Sequence, residues 1–166
     1  MGQGIPLRPF LLKDTDALRE LFAQSVEELT QEDYDEDQRA AWASVVEDGE
    51  SFARRLADAT TLVVEIDGEY HGFGSLKDNR VIDMLYVHPH LAGNGVGSTL
   101  LDALERLAKG RGSAGVTVDA SDSAQIFFEQ RGYVAQSRNS VPVEDQWLMN
   151  TTMTKTFTPA AKDDAQ

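Results

Sequence analysis

Eighteen consecutive residues, Met84 to Leu101, contain no Asp, Glu, Lys or Arg, in a chain whose charged fraction is 26%. The stretch opens inside the β-rich run VIDMLYV and closes on the first two of Leu100, Leu101, Leu104 and Leu107, which fall on one helical face. Between strand and helix lies GNGVGS, Gly93 to Ser98. A strand, a glycine-rich loop and a helix start form an anion site from free backbone N–H groups and the helix dipole. Glycines let phosphate oxygens approach the backbone closely. Such a site needs no lysine, and the stretch has none. A Walker loop would require Gly-Lys-Ser/Thr, which is absent, and a dinucleotide fingerprint would place its third glycine at Ser98. The pyrophosphate of coenzyme A remains as a ligand, beside the plain alternative of a loop that binds nothing.

The rest of the chain constrains the frame around that loop. Ile5 to Pro9 reads as an opening strand. Leu18, Leu21, Phe22, Val26 and Leu29 recur at helical spacing behind Asp14 or Thr15 as cap. Further short helices are predicted over Glu36 to Val46, capped by Asp35, and over Ser51 to Ala57, behind Asp48. Thr61 to Ile66 and Glu69 to Leu76 form a hairpin about Asp67-Gly68, and a turn at Asp78-Asn79 leads to Val81 to Val87. After the Leu-rich helix, stopped by Gly110 and Gly112, come a short strand at Val116 to Val118 and a helix over Ala124 to Gln130. Strands around Tyr133 to Ser137 and Gln146 to Thr156 finish the chain. The sum is an α/β (α+β) protein with a mixed, mostly antiparallel sheet of six to seven strands and helices on both faces. Residues 1–157 read as one domain and 158–166 as a flexible polar tail.

Composition removes several function classes. There are no cysteines, so disulfides, thiolate metal sites and thiol nucleophiles are excluded together. A formal charge of −13 argues against nucleic acid as a partner, because phosphate contacts need clustered Lys and Arg. No apolar run is long enough to span a bilayer, and the N-terminus lacks the apolar core of a signal peptide. These features predict a soluble, cytoplasmic protein that does not engage membranes.

The segment MLYVHPHLAGNGVGSTLLDALE resembles the acyl-CoA binding motif of the GCN5-related N-acetyltransferase (GNAT) family, in which a strand ending Val-x-Pro precedes a Gln/Arg-x-x-Gly-x-Gly/Ala loop and a long helix. Gly95 and Gly97 take the two small positions, and Ala92 stands where the family has Gln or Arg. DASDSAQIFFEQRGY resembles the same family's Asn-x-x-Ala-x-x-x-Tyr-x-x-x-Gly-Phe segment, with Ser121, Ala124, Phe128, Gly132 and Tyr133 at those positions. YDEDQRAAWA and the closing LMNTTMTK resemble segments of a bacterial subgroup of the family. The resemblance covers residues 5–157 nearly throughout. It implies the acyl-CoA N-acyltransferase fold, acetyl-CoA as co-substrate without a metal, and attack by a small-molecule or peptide amine in a ternary complex. The alternative is a non-catalytic acyl-CoA-binding or regulatory domain. Homodimerisation through the last strands is an expectation from fold analogy.

By that resemblance the cofactor-binding residues are Leu85, Tyr86 and Val87, Ala92, Gly93, Asn94, Gly95, Val96, Gly97 and Ser98, with Ser121 and Phe128. Val87 N–H is the expected polariser of the thioester carbonyl. Phe128 falls where many relatives carry a tyrosine acid. A thiol with a pKa of about 8.5 leaves readily enough to make that acid dispensable. Asp83 is the candidate base, two residues before Leu85 and therefore expected on its face of the strand, with pairing to Arg80 as the alternative reading. Glu65, in the neighbouring hairpin, is the substitute. Ser121 to Ser123 also read as helix caps, with Asp122 and Gln125 in capping-box spacing. Tyr133 reads as packing, His71 as a strand residue, and His88 with His90 as a pair lacking a third metal ligand. Seven acids between Glu27 and Asp37 read as a solvated face or as an attractor for a cationic amine.

Overall fold

Aspartates start the helices that carry the roof of the sheet. Asp35 accepts from Gln38 N–H while the Gln38 side chain returns to Asp35 N–H, a reciprocal cap at the start of α2 (Glu36–Ala43). Asp48 accepts from Ser51 N–H and starts α3 (Gly49–Asp58). The expected continuation of α2 to Val46 tightens instead into a 3₁₀ turn over Ser44–Val46. Longer than either is α1 (Thr15–Leu29), preceded by Asp14. The computed structural model describes residues 4–91 and 95–157; Ala92, Gly93, Asn94 and the tail from 158 lie outside them.

Seven strands form one sheet: β1 (Arg8–Pro9), β2 (Thr60–Ile66), β3 (Glu69–Lys77), β4 (Val81–Val87), β5 (Gly115–Ser121), β6 (Val134–Val143) and β7 (Gln146–Thr156). Their spatial order is β1-β2-β3-β4-β5-β7-β6. Every pairing is antiparallel except β4 with β5, which run parallel on either side of α4 (Val96–Gly110). The short α5 (Gln125–Glu129) follows β5. The first strand is only two residues long, and β6 runs six residues beyond its expected end at Ser137. As an edge strand exposed along most of its length, β6 shows little apolar alternation and accommodates Pro142.

Two apolar layers sandwich the sheet. On one face, Leu18, Leu21, Phe22 and Val26 of α1 and Phe52 and Leu56 of α3 pack on Val63, Phe73 and Met84. On the other, Leu101, Leu104 and Ala108 of α4 pack on Leu76, Ile82, Val116, Val118 and Met153. Gly72 and Gly74 of β3 let α4 approach closely: a Cβ at Gly72 would stand 2.9 Å from Val96 Cγ1.

One bulge changes the side-chain parity of β4. Ser75 pairs with Met84 but the next residue, Leu76, pairs with Ile82, so Asp83 is an extra residue with no partner on β3. Ile82 therefore shares the α4 face with Leu85. Asp83 turns to the opposite face, where Arg55 of α3 meets it.

The N-terminal segment is fastened by a buried carboxylate. Arg8 grips Asp14 through two bonds of 2.9 and 2.8 Å, and Tyr70 Oη and Leu11 N–H also donate to it. Burial pushes the Asp14 carboxyl up, but the bonds from Arg8, Tyr70 and Leu11 outweigh it and hold it at about 2. A depressed carboxyl stabilises fully above about pH 4, and the contribution disappears as pH falls through about 2. Asp14→Asn is expected to cost about 2 kcal/mol at neutral pH and to flatten the acid limb of the stability profile, as read by urea unfolding between about pH 2 and 7.

Candidate active site

Only Val81–Thr117 and Ile82–Val118 pair β4 with β5. Beyond them the two strands part. The parting opens a cleft of about 770 Å³ that crosses the sheet, with β4 along its length, the start of α4 and α5 on one side and α1 and α2 on the other. His88 N–H donates to His71 O at 2.9 Å, so by strand alternation Met84 and Tyr86 also turn their backbone groups to β3. Leu85 and Val87 then direct theirs into the gap.

At one end of the cleft sits the start of α4. Gly95 holds a left-handed conformation, φ 87° and ψ 18°, which a residue with a Cβ adopts only under strain. Its carbonyl accepts from Thr99 N–H, leaving the N–H groups of Val96, Gly97 and Ser98 at the open helix end. Arg131 reaches the same place. Its guanidinium lies 3.9 Å from the Phe127 ring centroid and donates to Ser98 Oγ, placing a cation beside the free N–H groups. The sequence hides this arrangement, because Arg131 stands 33 residues from Ser98 and reads only as the residue before a helix-ending glycine.

Ser121 and Phe128 line the same side. Ser121 Oγ accepts from Ala124 N–H at 3.2 Å and closes the turn before α5, while Asp122, the expected cap, pairs instead with Arg138, so α5 starts at Ala124 without a side-chain cap. Phe128 is buried, its ring 5.1 Å from that of Tyr133. Tyr133 is outside the cleft and donates to Glu105 at 2.7 Å; burial, then that bond, raises its phenol.

The opposite side is roofed by aromatic rings. Tyr86 stacks 4.4 Å from Phe22 in a tilted pair, and burial pushes its phenol up to about 12. Tyr34 packs edge-on against Trp42, donates to Met149 O at 2.6 Å and accepts from Asp122 N–H at 2.9 Å. Asp83 lines this side, bound by Arg55 through Nε at 2.7 Å and Nη2 at 3.0 Å. The bulge thus corrects two expectations: Asp83 does not share Leu85's face, and its partner is Arg55, not Arg80. Hydrogen bonding to Asp83 in turn raises the Arg55 guanidinium. Glu65 is not in the cleft. β3 lies between its strand and β4, and its carboxylate is taken by Arg8 at 2.6 Å. Asp119 also borders the cleft, as an exposed residue whose carboxylate accepts from Thr152 Oγ1 of β7 at 2.6 Å. Sequence reading passes over it because a single acid in VTVDAS looks like ordinary outward alternation.

Among the described residues, no cluster of three or more His, Cys, Asp or Glu could hold a metal ion, and no helix is long and apolar enough to cross a membrane. His90 is committed to Glu28 at 2.7 Å.

Comparison with known proteins gives the family to which this parted sheet and glycine-started helix belong. Residues 30–157 match the family model described as an acetyltransferase (GNAT) domain. The chain is 30% identical over 147 residues to the uncharacterized N-acetyltransferase YafP of Escherichia coli (strain K12), spanning 89% of this chain and 93% of YafP. A GCN5-related N-acetyltransferase from Rhodopseudomonas palustris superposes with a TM-score of 0.91 at 50% identity, over 93% of this chain and 97% of that one. The PaiA N-acetyltransferase of Thermoplasma acidophilum, solved with coenzyme A, shares the fold with a TM-score of 0.77 at 19% identity, over 93% and 100% of the two chains. The chain belongs to the GNAT acetyltransferase family.

Tyr34 joins the roof to both the β5–α5 turn and β7. Tyr34→Phe keeps the ring against Trp42 but deletes both bonds of the hydroxyl, leaving Asp122 N–H without its acceptor. The expected loss is about 1–2 kcal/mol in urea unfolding, with an unchanged m-value.

Proposed function

We propose that the protein transfers the acetyl group of acetyl-CoA to a primary amine by direct attack in a ternary complex, with residues 1–157 acting as one catalytic unit. The observation that carries this reading is the parted β4–β5 pair ending at a helix start flanked by Arg131. An extended thioester arm needs unpaired strand backbone, and a pyrophosphate needs N–H donors and a cation. In this reading Leu85, Tyr86 and Val87 hold the arm, and the N–H groups from Gly95 to Ser98 hold the phosphates with Arg131. Ala92, Gly93 and Asn94, outside the described residues, are assigned to the same ligand from the sequence alone. Val87 N–H polarises the thioester carbonyl, Ser121 offers its hydroxyl to the pantetheine amide, and Phe128 supplies an apolar wall.

The chemistry balances simply. The neutral amine forms the new C–N bond, the C–S bond breaks, the ammonium proton leaves to a base, and coenzyme A departs as thiolate. Asp83 is the proposed proton acceptor, directly or through a water, with Arg55 as the positioning residue that fixes its carboxylate. Glu65, committed to Arg8 outside the cleft, has no part in this scheme. No tyrosine stands at position 128, and a thiolate leaving group does not need one.

Saturating coenzyme A is expected to raise the melting temperature by several degrees, since about 100-fold excess over Kd adds about 2.7 kcal/mol. Gly95→Glu should abolish the shift, because it puts a strained, charged residue against the phosphates. Arg131→Ala should weaken coenzyme A binding about tenfold in calorimetry, the scale of one charge-assisted contact. Equal shifts in all three proteins would refute the placement of the phosphates. Asp83→Asn should retain coenzyme A binding yet lower turnover about 10²-fold, with a smaller loss at high pH, where more of the amine is already neutral. Wild-type turnover at neutral pH would remove Asp83 from the mechanism.

A further inference from the structure

The acceptor half of the cleft has a specific charge count. Arg55 and Asp83 neutralise each other through two hydrogen bonds. Asp119 is the remaining charged residue on that side. It stands immediately after Val118, the last β5 residue paired with β4, just as Asp83 stands immediately after Ile82. The two residues therefore flank the point where the strands part. Val116, Val118 and Ala120 pack toward α4, so alternation turns Asp119 to the face roofed by α1 and α2. Its neighbour across the ladder is Thr152, whose hydroxyl it accepts, and it has no cationic partner among the described residues.

The remaining wall on that side is largely apolar: Phe22, Val26, Trp42, Leu148 and, at the rim, Leu29 and Val45, each 46% exposed. The acids between Glu27 and Asp37 do not line it. Glu27 pairs with Arg39, Glu28 with His90, Asp33 accepts from Ser123, and Asp35 caps α2. A substrate with several ammonium groups would lose hydration against Phe22 and Trp42 and meet one unpaired carboxylate. A substrate with one ammonium on an apolar body would match both charge and surface.

We infer that the acceptor is a monoamine carrying an apolar, ring-sized body, and that Asp119 receives its ammonium group. The inference rests on the acyl-transfer reading and deepens it. Asp119 is a docking group: it draws the ammonium to the parting of the strands, where the proton is then given up and the thioester attacked.

The test uses the full chain with acetyl-CoA and measures thiol release with phenethylamine, tryptamine and spermidine, alongside melting shifts with coenzyme A. The ring monoamines are expected to show at least tenfold higher kcat/KM than spermidine. Asp119→Asn should raise their KM about tenfold, with the coenzyme A shift unchanged, and Asp119→Glu should restore part of the loss. Leu29→Glu, at the rim, should lower kcat/KM for the ring amines and raise it for spermidine. Spermidine used as well as the ring amines, or an unchanged KM in Asp119→Asn, would overturn the inference. So would ring amines that neither turn over nor alter tryptophan fluorescence when added to the coenzyme A-loaded protein. A protein that shows no coenzyme A shift at all would instead refute the acyl-transfer reading, and the acceptor assignment with it.

Discussion

Two residue pairs join β4 to β5, and the rest of the molecule is arranged around the place where that pairing ends. A parallel pair that parts so early leaves backbone groups unsatisfied on both strands, which a buried sheet does not tolerate without a partner or solvent. The fold manages this by covering the gap with α1 and α2 on one face and α4 and α5 on the other. The hairpin of β6 and β7, paired with β5, holds the far side open. The cleft is the direct product of a missing ladder. Its chemistry follows from what borders it: free strand backbone in the middle, a helix start with Arg131 at one end, aromatic rings and carboxylates at the other.

The bulge at Asp83 acts at the same point. An extra residue on β4 lets Ile82 stay with Leu85 on the α4 face while a carboxylate turns to the opposite one. Without it, strand alternation would put Ile82 on the α1 and α3 face together with Met84 and Tyr86, and would send Asp83 into the apolar contacts of α4. One inserted residue thus keeps both cores continuous and delivers the Arg55–Asp83 pair to the cleft.

Much of this was legible from local rules. Asp35 and Asp48 start their helices as capping residues do, Asp67-Gly68 turns a hairpin with both residues at positive φ, and β7 runs over the expected Gln146–Thr156. The GNGVGS segment and its flanks pointed to the acyltransferase family that the comparisons establish. What escaped was non-local. Parity along β4 looks unbroken until its partner on β3 is known, so simple alternation puts Asp83 on the face opposite to the one it occupies. Arg131 meets Ser98 only because α5 packs beside α4, and β6 hides its strand character behind polar residues on an exposed edge. Asp119 differs from a surface acid only in what the neighbouring strand fails to do.

The Tyr34 hydroxyl, shared between Met149 O and Asp122 N–H, fastens the roof to two other parts of the molecule at once. It ties the α1–α2 connection to the far hairpin and to the turn before α5, which turns the roof from a flap into a closed hoop. Opening that hoop would break two hydrogen bonds and expose the Tyr34 residue, which is only 4% exposed. The mouth of the cleft beside Leu29 and Val45, each 46% exposed, is therefore bordered by a roof tied down at two separate places.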